Sequence, residues 1–233
     1  MGTDPVSIAE NLAQVRLRVS RACTAAGRDP QHVTLLAVSK TCPPQAVRAA
    51  YAAGQRAFGE NYVQEALAKV DALADLRPAL EWHLIGPLQS NKTRVVAETF
   101  DWVHTVDRLK IAERLSAQRP PGMAPLNICL QVNVDGQASK SGVAFGELPA
   151  LAQAMAALPG LRLRGLMSIP EPVEGLAAQR LPHQRLREAF DALRAGGLAL
   201  DTLSMGMSAD LEAAMLEGAT LVRVGTAIFG ARG

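Results

Sequence analysis

Thr34-Leu35-Leu36-Ala37-Val38-Ser39-Lys40, with the stretch that runs on to Gly59, decides the fold. Val33 to Ser39 is a short apolar run of strand length. Pro43-Pro44 then opens a helix through Tyr51, because a proline suits a first turn whose N–H groups have no partner to lose. Gly54 closes that helix, and Ala57-Phe58-Gly59 begins a second strand. A strand, a helix and a strand in about 25 residues make one βαβ unit, which requires parallel strands.

The unit recurs along the chain. Strands are predicted at 82–85, 102–104, 128–134, 161–167, 202–203 and 221–224. Helices are predicted over about 62–73 and 90–98, then one capped by Asp107 that carries Leu109, Ala112 and Leu115. Further helices carry Leu148, Leu151, Met155 and Leu158, then Leu186, Phe190 and Leu193, followed by 209–217 and a short last one from Thr226 to Gly230. Eight strand-then-helix units of about 25 residues match the economy of a (β/α)8 TIM barrel; an open doubly wound sheet is the alternative. An extra helix precedes the first unit, with Ile8, Leu12, Val15 and Val19 on one face, Ser7 and Glu10 as a capping box and Gly27 as its stop. The longest irregular stretch, Ile169 to Pro182, follows a strand and belongs to the catalytic face as a candidate lid. No linker or composition shift divides the chain, so residues 1–233 are read as a single domain.

Composition narrows the function classes. The 233 residues are 48% apolar and 20% charged, with 4% aromatic, so the core is built from aliphatic side chains. A net charge of +2 without basic runs argues against nucleic acid. Met1 to Glu10 shows no signal peptide, and no apolar run approaches the ~20 residues of a membrane helix. The three cysteines, Cys23, Cys42 and Cys129, are odd in number and far apart, so neither a disulfide framework nor a metal-binding pair is expected. The expected address is the reducing cytoplasm.

The candidates for chemistry sit at strand ends. Lys40 is one of only five lysines. By alternation it shares a face with Leu36 and Val38. If that face lines the barrel, its amine stands at the C-terminal mouth, partly desolvated, which favours the neutral form that attacks an aldehyde; a lysine reaching out to water is the plain alternative. Lys92 and Lys140 lie in polar loops and suit anion contacts better. Arg223 lies inside the apolar run Leu221-Val222-Arg223-Val224-Gly225, where a guanidinium needs partners. It is read either as a structural ion pair or as a donor to a ring nitrogen or phosphate. The turns Ser204-Met205-Gly206-Met207-Ser208 and Gly225-Thr226 follow the last two strands, the frequent phosphate position in barrels. Ser208 alone can be a helix cap, and Asp210 would repel a phosphate set directly beside it. Glu60, Asn61, His83 and His104 end or follow strands two to four; each can also be a residue satisfied by backbone, and they share no metal-ligand spacing.

These residues fall in motifs that resemble the pyridoxal phosphate homeostasis proteins, which look like the N-terminal barrel of alanine racemase standing alone. The resemblance runs nearly end to end. It is carried by Leu36-Ala37-Val38-Ser39-Lys40-Thr41, Phe58-Gly59-Glu60-Asn61-Tyr62, Trp82-His83-Leu84-Ile85-Gly86 and Leu88-Gln89-Ser90-Asn91-Lys92. It continues through His104-Thr105-Val106-Asp107, Gln131-Val132-Asn133-Val134, Ala138-Ser139-Lys140-Ser141-Gly142-Val143 and Gly165-Leu166-Met167-Ser168-Ile169-Pro170. It ends with Leu203-Ser204-Met205-Gly206-Met207-Ser208 and Val222 to Gly230. Ser168 and Cys42 stand where related chains vary. The resemblance implies that Lys40 carries pyridoxal 5′-phosphate as a Schiff base. It further implies that Ser204, Ser208, Gly225 and Thr226 hold the phosphate, that Arg223 faces the pyridine nitrogen, and that Asn61, His83 and Met167 line the pocket.

The function then expected is cofactor homeostasis without substrate turnover, with no catalytic residue assigned, no metal, and pyridoxal phosphate-dependent apoenzymes as recipients. An arginine at the pyridine nitrogen keeps it unprotonated and weakens the ring as an electron sink. The resemblance places the second acid/base of racemase chemistry in a separate C-terminal domain, and a chain ending at Gly233 is expected to leave the barrel mouth open to solvent. The alternative is a low-activity amino-acid racemase or a lyase; Tyr51 and Tyr62 are the only tyrosines. A monomer is expected.

Overall fold

Alternation of apolar strands with one-sided helices leaves each strand needing cover on both faces, and closure of the sheet supplies it. In a computed structural model describing residues 5–137 and 140–230, eight parallel strands form a closed barrel in sequence order. They are β1 (Thr34–Val38), β2 (Ala57–Glu60), β3 (Glu81–Leu84), β4 (Trp102–Val106), β5 (Leu126–Gln131), β6 (Leu161–Met167), β7 (Thr202–Ser204) and β8 (Leu221–Val224). Ring closure is made by β1 against β8, with Leu36 opposite Arg223. The doubly wound alternative is thereby excluded.

Helices α1 (Pro5–Ala25), α2 (Pro44–Ala52), α3 (Val63–Ala72), α4 (Thr93–Thr99), α5 (Leu109–Gln118), α6 (Leu148–Ala156), α7 (Leu176–Ala195), α8 (Leu211–Leu216) and α9 (Thr226–Phe229) surround the barrel. Their apolar stripes and the outward faces of the strands form the main core, which includes Ile8, Leu12, Phe58, Trp82, Leu115, Leu166 and Leu186. Two small apolar clusters lie apart from it. One joins Leu36, Val38, Ala57, Ile85 and Leu221; the other joins Trp102, Cys129 and Met167. They alternate in sequence with the outward residues, so they fill the barrel.

Several boundaries differ from the sequence expectation. Helix α1 starts at Pro5, so Ser7 lies inside it and not at its cap. Asp107 does not cap α5: the residue before the helix is Arg108, whose guanidinium holds the Asp107 carboxylate at 3.1 Å. The irregular stretch after β6 is shorter than expected, because α7 begins at Leu176 and takes Pro182 into its interior. Burial of Leu186, Phe190 and Leu193 along that helix outweighs the one backbone bond a proline forfeits. Ala138 and Ser139 of the sixth motif lie outside the described residues. At Gly165 a Cβ would stand 1.7 Å from the Thr202 carbonyl oxygen, so β6 and β7 meet only because that residue has no side chain.

Candidate functional site

Lys40 lies two residues beyond the end of β1, half-buried, at the C-terminal mouth of the barrel. Within the barrel, beside the two small apolar clusters, lies a polar network. Arg223, on β8 and 4% exposed, donates from Nη1 to the Ser204 carbonyl oxygen at 2.7 Å and to Ser204 Oγ at 2.8 Å. Its Nη2 donates to the Ser168 carbonyl oxygen at 2.8 Å. No carboxylate touches it directly among the described residues, so burial pulls the guanidinium down to about 10, with Asp210 opposing from a distance.

Ser204 Oγ also lies 2.8 Å from His104 Nδ1, on the opposite side of the ring of strands. His104 Nε2 is 2.8 Å from His83 Nδ1, and His83 Nε2 is 2.7 Å from Glu81 Oε1. A carboxylate only accepts and a guanidinium only donates, so with both imidazoles neutral the chain runs in a single direction. Arg223 donates to Ser204, Ser204 O–H to His104 Nδ1, His104 Nε2–H to His83 Nδ1, and His83 Nε2–H to Glu81. In that neutral state both histidines are Nε2–H tautomers. The His83 ring also stacks on Trp102 at 5.2 Å. Glu81, at the far end of the barrel and half-exposed, is held below the usual carboxylate range by the His83 ring.

His104 is fully buried, and desolvation, helped by His83 and Arg223, holds it well below the ordinary histidine range. The unfolded state therefore takes up a proton before the folded state does. Its contribution to stability is present above about pH 6.5 and is lost as pH falls towards the depressed folded value. The melting temperature of the wild-type protein is expected to fall between about pH 7.5 and pH 5.5, and His104→Gln should flatten that slope. Parallel thermal melts of the two proteins across this range check it; identical slopes would assign the loss to other groups.

The mouth itself is lined by the loops that follow the strands. Asn61, after β2, opens onto a cavity of about 480 Å3 shared with Ile85, Thr105, Gln131, Lys140 and Ile169. Its Oδ1 is buried without a hydrogen-bond partner among the described residues, as is Ser168 Oγ. Gly206 in the loop after β7 has φ +93°, and a Cβ there would meet the Ala214 Cβ at 2.6 Å, so the turn carrying Ser208 is open only to glycine. Asp210 does not face outward from this turn: Oδ1 accepts the Met207 N–H at 2.6 Å and Oδ2 lies 3.0 Å from the buried His183 Nε2. Both oxygens are thus held, one by the loop backbone and one by His183 on α7.

The residues singled out in the sequence thus divide. Lys40, Asn61, Ser208 and Gly225 are on loops at the mouth, Thr226 opens α9, and His83, Ser204 and Arg223 join one network within the barrel. Met167 is fully buried beside Trp102 and Cys129. The Ser204 hydroxyl, which the resemblance gives to the phosphate, is engaged on both sides by His104 and Arg223. Glu81, Glu65, Lys69 and His183 were not anticipated. Glu81 lies two residues before His83 on the same strand face, and Glu65 precedes Lys69 by one helical turn; these spacings were the available signals.

Comparison with known proteins agrees with this fold. The family model for the N-terminal domain of alanine racemase matches residues 8–233. A pyridoxal phosphate homeostasis protein of Pseudomonas aeruginosa is 66% identical over 226 residues, covering 97% of this chain and 96% of that one. Its counterpart in Escherichia coli is 55% identical with 97% of each covered. Among solved structures, PipY of Synechococcus elongatus with pyridoxal phosphate bound superposes with a TM-score of 0.84 at 42% identity, covering 96% of this chain and 100% of that one. Alanine racemase of Corynebacterium glutamicum, 18% identical with a TM-score of 0.72, shares the fold over 97% of this chain and 61% of its own length. A closed barrel with a lysine at its mouth, and relatives of this identity along almost the whole chain, place the protein in the pyridoxal phosphate homeostasis protein family.

Proposed function

We propose that this protein binds pyridoxal 5′-phosphate as a Schiff base on Lys40 and serves the intracellular supply of that cofactor, without turning over a substrate. The observation that carries the reading is the combination of a half-buried lysine at the barrel mouth with a buried arginine, not a carboxylate, in the interior beneath it. The name of the relatives and the cofactor bound to PipY support it.

The residues present fit the group. When bound, pyridoxal phosphate supplies an aldehyde that condenses with amines and a ring that accepts electrons. Lys40 provides the amine. Arg223, a permanent donor held by Ser204 and Ser168, faces the ring nitrogen and leaves it no proton. The unpartnered Asn61 Oδ1 offers an acceptor to a ring hydroxyl. Ser208 and Gly225, in the loops after β7 and β8, and Thr226 at the start of α9 hold the phosphate, while Ser204 acts by orienting Arg223. His83 and Met167 support the pocket floor. Three buried cysteines, all free, support an address in the reducing cytoplasm, and among the described residues no helix is long and apolar enough to cross a membrane.

Racemase chemistry needs a second acid/base. Tyr51 is on α2, with Arg56 lying over its ring at 4.2 Å; Tyr62, at the start of α3, is 57% exposed. The test mixes the cofactor-loaded protein with D- and L-amino acids and follows chirality, then adds a pyridoxal phosphate-dependent apoenzyme and follows its activation. No racemisation beyond that of free pyridoxal phosphate is expected, with activation of the apoenzyme. Racemisation faster than the free cofactor would make the protein an enzyme.

A further inference from the structure

Behind β1 and β2 lies a buried ionic cluster with no part in the pocket. Glu60, at the end of β2, is fully buried. Its Oε1 accepts from Ser39 Oγ at 2.6 Å and from Lys69 Nζ at 2.7 Å. Lys69, 3% exposed on α3, also donates to the Ser39 carbonyl oxygen at 2.5 Å and pairs with Glu65 one turn earlier at 2.7 Å. Glu65 Oε1 in turn accepts the Thr41 backbone N–H at 2.5 Å. Burial pushes the Glu60 carboxyl up, against the pull of Lys69 and Ser39, and Glu60 Oε2 is left without a partner among the described residues.

Every one of these bonds to the β1–α2 loop falls on the residue before Lys40 or the residue after it. Thr41 is also the only described non-glycine residue with positive φ, at +60°. A β-branched residue does not choose that conformation. The Glu65 bond to the Thr41 N–H opposes its relaxation. Lys69 and Glu65 grip the two peptide units that flank a single lysine, and Glu60, buried with Lys69 at a cost in desolvation, holds Lys69 and the Ser39 hydroxyl.

We propose that Glu65, Lys69 and Glu60 form a positioning device that holds the turn at Thr41 and so presents the Lys40 amine at the barrel mouth. This rests on the reading of Lys40 as the cofactor amine. The step it serves is condensation of the Lys40 amine with an aldehyde: a C=N bond forms, one water leaves, and borohydride reduces the product to a secondary amine. The rate depends on the angle and distance at which the nitrogen meets the carbonyl. The device does not touch the aldehyde, so these are positioning residues.

The test measures the rate of borohydride-trapped pyridoxal phosphate adduct at Lys40, by peptide mass spectrometry, across a series of pH values. The proteins compared are wild type, Glu65→Ala and Glu65→Ala/Thr41→Gly. Glu65 is partly exposed, so its replacement leaves the buried Lys69–Glu60 pair and the fold in place. Trapping in Glu65→Ala is expected to slow on the order of ten- to a hundredfold, with Thr41→Gly restoring most of it, since glycine accepts positive φ without a clamp. Amide exchange in the cofactor-free proteins should show the Thr41 N–H protected in the wild type and unprotected in Glu65→Ala. An unchanged trapping rate in Glu65→Ala would overturn the inference, as would a slow variant that glycine does not rescue. Failure of the wild type to form any adduct at Lys40 would overturn the assignment of the amine as well.

Discussion

Replacement of Lys40 by alanine is expected to abolish the borohydride-stable pyridoxal phosphate adduct and the visible absorption band, with stability changed by no more than about 1 kcal/mol. The other four lysines are occupied or misplaced. Lys69 is buried between Glu60 and Glu65. Lys140 bridges Asp135 at 2.6 Å and Glu171 at 2.9 Å, which keep it protonated and raise it above the usual lysine range. Lys92 ends a short 3-10 helix before α4, and Lys110 is exposed on α5. Lys40 is half-buried at the mouth, as Lys140 is, but unlike Lys140 it makes no ion pair among the described residues. Its side chain completes no buried network, so its loss removes the amine and little else. Peptide mass spectrometry after reduction checks this directly: an adduct found on Lys140 or Lys92 in the variant would assign the chemistry to the wrong amine.

Arg223→Ala carries the second large effect, on stability and cofactor retention together. Truncation removes three hydrogen bonds, to the Ser204 carbonyl and hydroxyl oxygens and to the Ser168 carbonyl, and leaves the Ser204 carbonyl only the Ser168 N–H at 3.2 Å. It also empties the centre of the barrel. Lost bonds and cavity together should cost on the order of 3 kcal/mol or more. Relief of the buried charge, whose strain shows in the depressed Arg223 value, offsets part of this. Arg223→Met separates the contributions. A thioether chain of similar length refills the space and should recover much of the stability, yet it has no donor for a ring nitrogen. Cofactor should leave both variants during dialysis at least about tenfold faster than wild type, the equivalent of ~1.4 kcal/mol. Urea unfolding and cofactor release measured on the same samples check it; wild-type retention in Arg223→Met would remove Arg223 from the ring.

The same residue shows how far a one-dimensional reading carries. An arginine inside Leu221-Val222-Arg223-Val224 was visibly anomalous, and its anomaly is physical: a guanidinium in an apolar strand must find acceptors. Which acceptors was not legible. Ser204 is 19 residues away along the chain, Ser168 is 55, and the His104 ring that fixes the Ser204 proton is 100 residues from Ser204. Local signals also misled at helix ends. Asp107 has the right chemistry for a cap, but its neighbour Arg108 took the carboxylate; Pro182 has the wrong chemistry for a helix interior, but the buried stripe of α7 carried the helix through it.

Periodicity along the chain was enough to establish eight strand–helix units, the helix preceding them and the strand-end placement of Lys40, because hydrophobic spacing of two and 3.6 residues is local information. It could not say which face of each strand turns inward, nor that Glu81, His83, His104, Ser204 and Arg223 would meet in one directed chain, nor that Glu65 and Lys69 would reach back to grip the peptides beside Lys40. Those contacts exist only once β1 closes on β8 and α3 docks behind the first loop. Hydrogen bonds and ion pairs act over a few ångströms of space, and separation along the sequence says nothing about that distance until the ring is closed.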